Sequence, residues 1–267
     1  MFGRNKIAAI VAEFLGTGIL TLLVLSVQRS TIGVPFFVAL AAGLTITVLY
    51  FALGEVSGGH FNPAITIALA TARKVAVGKA IVYVAVQLLG AWLAYWLYTY
   101  YANNHLMPIG GHFTWRILVA EGVGTSILGF GYAAAVYQGF STAVRASVAG
   151  IAYVVAVVAA SAAAIGLVNP AIALGVRAWI WGSYVAGPVI GAIVGVNLYR
   201  FLFAGVSEVA PPMMATATVS AITTPTAKLV PTKTTTTRKP AKAAASKTAA
   251  RKTTKKVATK RAPRTKK

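Results

Sequence analysis

The sequence predicts an all-α membrane protein with six transmembrane helices plus two re-entrant half-helices in an inverted repeat, followed by a disordered basic tail. Three observations predict it. Six apolar segments are long enough to cross a bilayer, and two further apolar segments reach only half that length. The order of motifs in the first half of the chain then recurs in the second, Asn62 answered by Asn169 and Ala12 by Ala120, offsets of 107 and 108 residues.

The composition supports this class. Of 267 residues, 57% are hydrophobic and 11% charged, with a mean hydropathy of +0.73; a soluble domain carries about a quarter charged residues. Ten Lys/Arg and three acids (Glu13, Glu55, Glu121) precede residue 204, whereas fifteen Lys/Arg and only Glu208 follow it. The net charge of +21 therefore describes an appended tail, not a nucleic-acid-binding domain. With no cysteine and three scattered histidines (His60, His105, His112), disulfides, thiol catalysis and Cys- or His-based metal sites are not expected. No acid–base pair or nucleophile constellation points to an enzyme, and no cofactor is implied.

A hydrocarbon core of about 30 Å takes roughly 20 apolar residues at 1.5 Å each. Residues 7–27 meet that length and lack a small-residue cleavage site, so they read as a first span and not a signal peptide. Residues 34–54 form the second span. Residues 62–71 are too short to cross and form a half-helix. Residues 79–101, 115–137 and 143–164 supply spans three to five, 169–177 a second half-helix, and 180–203 the sixth span. A pair of short hydrophobic segments at matching places in two halves marks an inverted-repeat transport fold.

The repeat covers about 7–101 and 115–203. Ala12-Glu13-Phe14-Leu15-Gly16-Thr17 is answered by Ala120-Glu121-Gly122-Val123-Gly124-Thr125, Asn62-Pro63-Ala64-Ile65 by Asn169-Pro170-Ala171-Ile172, and Leu89-Gly90-Ala91 by Ile190-Gly191-Ala192. Three spans per half is odd, so the halves run in opposite orientations and the half-helices enter from opposite faces. Basic residues orient the whole. With both termini cytoplasmic, Arg4, Lys6, Arg73, Lys74, Lys79, Arg145, Arg200 and the tail lie inside, against Arg29, Arg116 and Arg177 outside. Glycines spread along the spans suit close helix packing in lipid.

Asn is a favoured helix N-cap and Pro is favoured at the first helical position, so each Asn-Pro-Ala opens a helix. A single copy would read as a surface cap. Two copies, each opening a half-length helix between long spans, aim two positive helix-dipole ends at the bilayer centre. A cation there is destabilised and a neutral molecule is not. If the amide oxygens of Asn62 and Asn169 cap their own helices, both NH₂ groups remain as donors to a passing water, whose hydrogens then point away along the pore.

The motifs Ala12–Thr17, Ser57-Gly58-Gly59-His60-Phe61-Asn62-Pro63-Ala64, Asn169-Pro170-Ala171 with Gly175, and Gly187-Pro188 with Gly191-Ala192 resemble the aquaporin and glycerol-facilitator family over residues 7–203. The resemblance implies a homotetrameric passive channel, one pore per chain, for water and small uncharged solutes. Its pore motifs would be Asn62, Pro63, Ala64, Asn169, Pro170 and Ala171, with Glu13 and Glu121 bracing the re-entrant loops. Its selectivity filter would be Ala42, Val157, Gly166 and Ile172.

That filter departs from the family pattern. The residue after the second motif is nearly always Arg in the family and is Ile172 here. Four small or apolar residues imply a wide filter unable to hydrogen-bond solute, with ion exclusion left to the two dipoles. Width favours bulkier neutral solutes, whereas an apolar constriction dewets and slows water. Arg177 either reaches into the filter or lies at the interface, and Glu55 either senses pH at the pore mouth or is a plain interfacial carboxylate. Ala173 stands where glycerol channels usually carry Asp.

The channel domain is expected over 1–206. Residues 207–267, rich in Lys, Thr and Ala, cannot bury a core; the tail reads as a cytoplasmic arm drawn to anionic lipid, with nucleic acid the second reading. Two alternatives accompany the water channel: a water-poor pore for glycerol, urea, ammonia or gases, and a membrane tether acting through its tail.

Overall fold

A computed structural model describes residues 4–109, 111–178 and 180–205, all within one compact unit. The tail expected over 207–267 lies outside the described residues. Every regular element among them is helical: α1 (Arg4–Gln28), α2 (Pro35–Ser57), α3 (Pro63–Thr71), α4 (Val77–Ala102), α5 (Trp115–Tyr137), α6 (Thr142–Ala160), α7 (Pro170–Gly175) and α8 (Gly187–Phe203). All six expected spans form and are long and apolar enough to cross a membrane, the sixth as Gly182–Phe203 with its entry included. Between them α3 and α7 are the two short helices.

Boundaries differ where chemistry overrides hydropathy. The fifth span ends at Ala160 and not at 164, because the apolar Ala162-Ala163-Ala164 run folds as a turn, with Ala163 and Ala164 both donating to the Ala160 carbonyl. The sixth span opens on a π-helical turn, Gly182–Ala186, before α8. Gly187 N–H bonds five residues back to Gly182 O, and Pro188, with no N–H to donate, follows at the second position of α8.

The packing repeats with the sequence. Helix α1 lies on α4 as α5 lies on α8, α1 meets α2 as α5 meets α6, and α3 meets α8 as α7 meets α4. Exchanging the halves (α1 for α5, α2 for α6, α3 for α7, α4 for α8) leaves this scheme unchanged, the property of a two-fold repeat. Its axis passes where the pairs α2/α6 and α3/α7 touch. There Gly43 and Gly150, 107 residues apart, face each other's backbone: a Cβ on either would stand 2.6 Å from the other's carbonyl oxygen. Gly90 and Gly191 play matching parts, their missing side chains admitting the carbonyls of Phe14 and Gly122. Lipid provides no hydrophobic drive between helices, so contact area of this kind holds the bundle.

Both short helices end alike. Arg73 and Arg177 occupy left-handed positions, φ 61° and 63°, and the following residues, Lys74 and Ala178, donate back to Leu69 O and Ala173 O. This wrapped terminus satisfies carbonyls that a helix stopping inside protein would otherwise orphan.

Candidate functional site

The two Asn-Pro-Ala tips meet. Asn62 Oδ1 accepts from Ala64 N–H at 2.8 Å and Asn169 Oδ1 from Ala171 N–H at 3.0 Å, so each side chain caps its own helix. Each Nδ2 then crosses to the opposite loop: Asn62 donates to Val168 O and Asn169 to Phe61 O, both at 2.9 Å. The acceptors are the residues immediately before the partner asparagine. A primary amide has two N–H donors, so this lattice spends one per asparagine. The expectation of wholly free NH₂ groups is thus amended, since half of that donor capacity locks the tips together. Pro63, Ala64, Pro170 and Ala171 form the first turns and are buried.

The loops leading into the tips are held from behind by two fully buried glutamates. Glu13 Oε1 accepts from His60 N–H (3.0 Å) and Oε2 from Phe61 N–H (2.8 Å) and Gln87 Nε2 (2.8 Å). Glu121 Oε1 accepts from Gly166 N–H (3.0 Å) and Leu167 N–H (2.9 Å), and Oε2 from Val168 N–H (2.7 Å). Consecutive N–H groups point the same way only when the chain is wound through unusual dihedrals. Phe61 (φ 47°) and Val168 (φ 45°) are accordingly left-handed, a conformation that β-branched Val168 in particular disfavours. The carboxylates offset that strain with charge-assisted bonds.

Tyrosines finish the loops. Tyr132 donates to Gly59 O (3.1 Å), Tyr83 to Ser57 O (2.9 Å) and Tyr153 to Leu167 O (3.4 Å). Gln87 also donates to Thr66 Oγ1 at 2.9 Å, tying α4 to the first half-helix. Sequence reasoning passes over Gln87, although an amide in an apolar span is itself a signal, because intramembrane polar groups are costly without a task.

Of the four filter positions, Val157 and Gly166 are brought together: a Cβ on Gly166 would lie 2.7 Å from Val157 O and 3.2 Å from Val157 Cγ1. Ala42, Val157 and Ile172 are each 1% exposed. The Gly43–Gly150 contact, one residue beyond Ala42, holds α2 and α6 in close approach.

Arg177 is held by the loop after α4. Its guanidinium donates to Leu106 O at 2.7 Å and stands 5.6 Å from the centre of the Tyr95 ring, while its own carbonyl accepts from Ile109 N–H. It fastens the loop after α4 to the end of α7. Glu55 pairs with Arg145 at 2.6 Å and accepts from Thr142 Oγ1 at 2.6 Å, clamping α2 to α6. His105 and His112 are exposed in the loop between α4 and α5. Among the described residues no cluster of three His, Asp or Glu is placed to hold a metal.

Comparison with known proteins places this arrangement. The family model for major intrinsic proteins matches residues 3–199. The chain is 33% identical to aquaporin NIP1-1 of Oryza sativa subsp. japonica over 224 residues, covering 75% of this chain and 76% of that protein. It is 31% identical to aquaporin AqpM of Methanothermobacter thermautotrophicus over 186 residues, 62% of this chain and 76% of the other. Its fold resembles the X-ray structure of the aquaglyceroporin from Plasmodium falciparum, with a TM-score of 0.62 at 18% identity, covering 77% of this chain and all of that one.

Proposed function

The chain belongs to the major intrinsic protein family, and from that premise we propose that the junction of α3 and α7 is the throat of its pore. The protein is an integral, multi-pass membrane channel that passes water and small solutes passively, and it is not an enzyme. The observation that carries the throat assignment is the reciprocal Asn62–Val168 and Asn169–Phe61 pairing, which puts two helix N-termini end to end. Their dipoles raise the energy of a cation between them. The one remaining N–H of each asparagine orients a passing water and interrupts a proton wire. Ion and proton exclusion therefore sits at the tips.

Ala42, Val157, Gly166 and Ile172 form an apolar ring on the outer side. Both termini are cytoplasmic, as the distribution of Arg and Lys favours, and four chains assemble with one pore each. The tail lies along anionic lipid. One observation favours a second reading of the solute. A ring of small side chains that cannot hydrogen-bond strips water of partners and leaves room for glycerol, urea, ammonia or gases.

Stopped-flow light scattering of proteoliposomes under water and glycerol gradients tests the reading. A channel accelerates at least one flux over protein-free vesicles, whereas a tether accelerates neither. Ile172→Arg is expected to lower glycerol flux; unchanged flux would remove Ile172 from the constriction.

A further inference from the structure

The inverted repeat gives the pore a second ring. A shift of 107 residues carries Ala42, Val157, Gly166 and Ile172 onto Ala149, Tyr50, Gly59 and Ile65. The equivalence is structural as well as numerical. Gly59 and Gly166 are both left-handed, φ 65° and 75°, and each is covered by its ring partner. A Cβ on Gly59 would lie 2.7 Å from Tyr50 Cδ2, and one on Gly166 2.7 Å from Val157 O. Three pairs match in residue type: Ala with Ala, Gly with Gly, Ile with Ile. The fourth sets Tyr against Val.

A second asymmetry has the same direction. Tyr132 on α5 is the image of Val24 on α1, at the 108-residue offset that relates Glu13 to Glu121. Tyr50 and Tyr132 stack edge to face, ring centres 6.5 Å apart at 61°, and Tyr132 bonds to Gly59 O. The inner ring and the Tyr132 stacked on it thus supply two aromatics where the outer half has Val157 and Val24. Tyr50 is fixed by packing, at 3% exposure. Its hydroxyl is a donor and acceptor that no outer side chain supplies.

We propose that solute selection takes place at this inner, cytoplasmic ring, with Tyr50 as the specificity-determining residue. The inference rests on the reading that the four outer positions line the pore, since the inner ring is their image. A phenol filling the slot that Val157 fills outside narrows the inner ring and gives a polar solute one hydrogen-bonding partner. The outer ring, lacking both, passes what the inner ring admits.

The chain has no cysteine, so a single Tyr50→Cys substitution creates a unique thiol for a small methanethiosulfonate reagent. Three variants, Tyr50→Val, Tyr50→Cys and Ile172→Arg, are compared with the unsubstituted protein in the proteoliposome assay. Tyr50→Val is expected to raise glycerol flux roughly tenfold, equivalent to about 1.4 kcal/mol of barrier. Tyr50→Cys is expected to lose its flux on thiol modification. Where Tyr50→Val fails to assemble, the Cys variant alone decides. Unchanged flux in Tyr50→Val and an insensitive Tyr50→Cys, beside a lowered flux in Ile172→Arg, would overturn the inference and leave the outer ring as the filter. A thiol-sensitive Tyr50→Cys beside an indifferent Ile172→Arg would support the inner ring and discard the outer reading. Indifference of all three would discard both.

Discussion

Substitution of Glu121 separates a brace from a bystander. Its carboxylate takes three backbone N–H groups in succession, two on Oε1 and one on Oε2, in a site with no solvent exposure. An unsatisfied buried donor costs about 1–3 kcal/mol. Glu121→Gln retains a carbonyl oxygen for Gly166 and Leu167 and turns an NH₂ toward Val168 N–H, so one bond is lost, for about 1–3 kcal/mol. Glu121→Ala orphans all three, roughly 3–9 kcal/mol, less about 1–3 kcal/mol as the left-handed Val168 relaxes. The net for Ala is roughly 0–8 kcal/mol, centred near about 4 kcal/mol, and the strain released is that which aims Asn169 at Phe61. Thermal unfolding of the purified protein in detergent, followed by tryptophan fluorescence, should rank wild type above Gln and Gln above Ala. Water and glycerol flux should fall in the same order. An Ala variant that melts with wild type and conducts equally would refute the bracing argument, because three orphaned donors cannot be silent in a dry site.

Other outcomes follow from the same geometry. Asn62→Asp replaces the donor facing Val168 O with an acceptor and adds a negative charge between the helix ends. Lower folded yield and a measurable cation leak in vesicles are expected, and a tight, fully stable variant would contradict the pairing. Gly150→Ala drives a Cβ into Thr47 and Gly43 O and should cost about 1–3 kcal/mol by overpacking, whereas Gly78→Ala, with nothing within 4 Å, should be neutral or stabilise by up to about 1 kcal/mol; thermal midpoints of the pair decide. Arg177→Ala frees the Leu106 carbonyl, so faster hydrogen exchange around residues 104–109 with flux within about twofold of wild type (roughly 0.4 kcal/mol of barrier) is expected. A large rise in flux or cation conductance would place that guanidinium in the constriction.

Much of the fold is legible in the sequence because lipid simplifies the code. Every backbone group must be paired within its own helix, so length and hydropathy alone locate spans, and the fourth, 115–137, is legible to the residue. The differences fall where hydropathy is silent. A run of small apolar residues such as Ala162-Ala163-Ala164 suits helix and turn equally, and only the chain's need to reach Glu121 with Gly166 decides between them. The half-helix after Asn169 stops at Gly175, short of the expected 177, because Arg177 takes up the left-handed end. At the site, the caps on Ala64 and Ala171 follow from Asn-Pro chemistry. The cross-bonds to Val168 and Phe61 do not, since they depend on where a distant backbone carbonyl lies. The same holds for Gln87 and Tyr132, which act on segments 21 and 73 residues away.

We propose that two opposed helix ends, cross-tied through Asn62 and Asn169, make a passage for neutral molecules that refuses charge. Simultaneous recording of osmotic volume and internal pH in proteoliposomes, under joint solute and proton gradients, tests it most directly. Volume should relax faster than in empty vesicles, with proton entry no faster. Proton entry rising in step with volume change, or no acceleration of either, would contradict it.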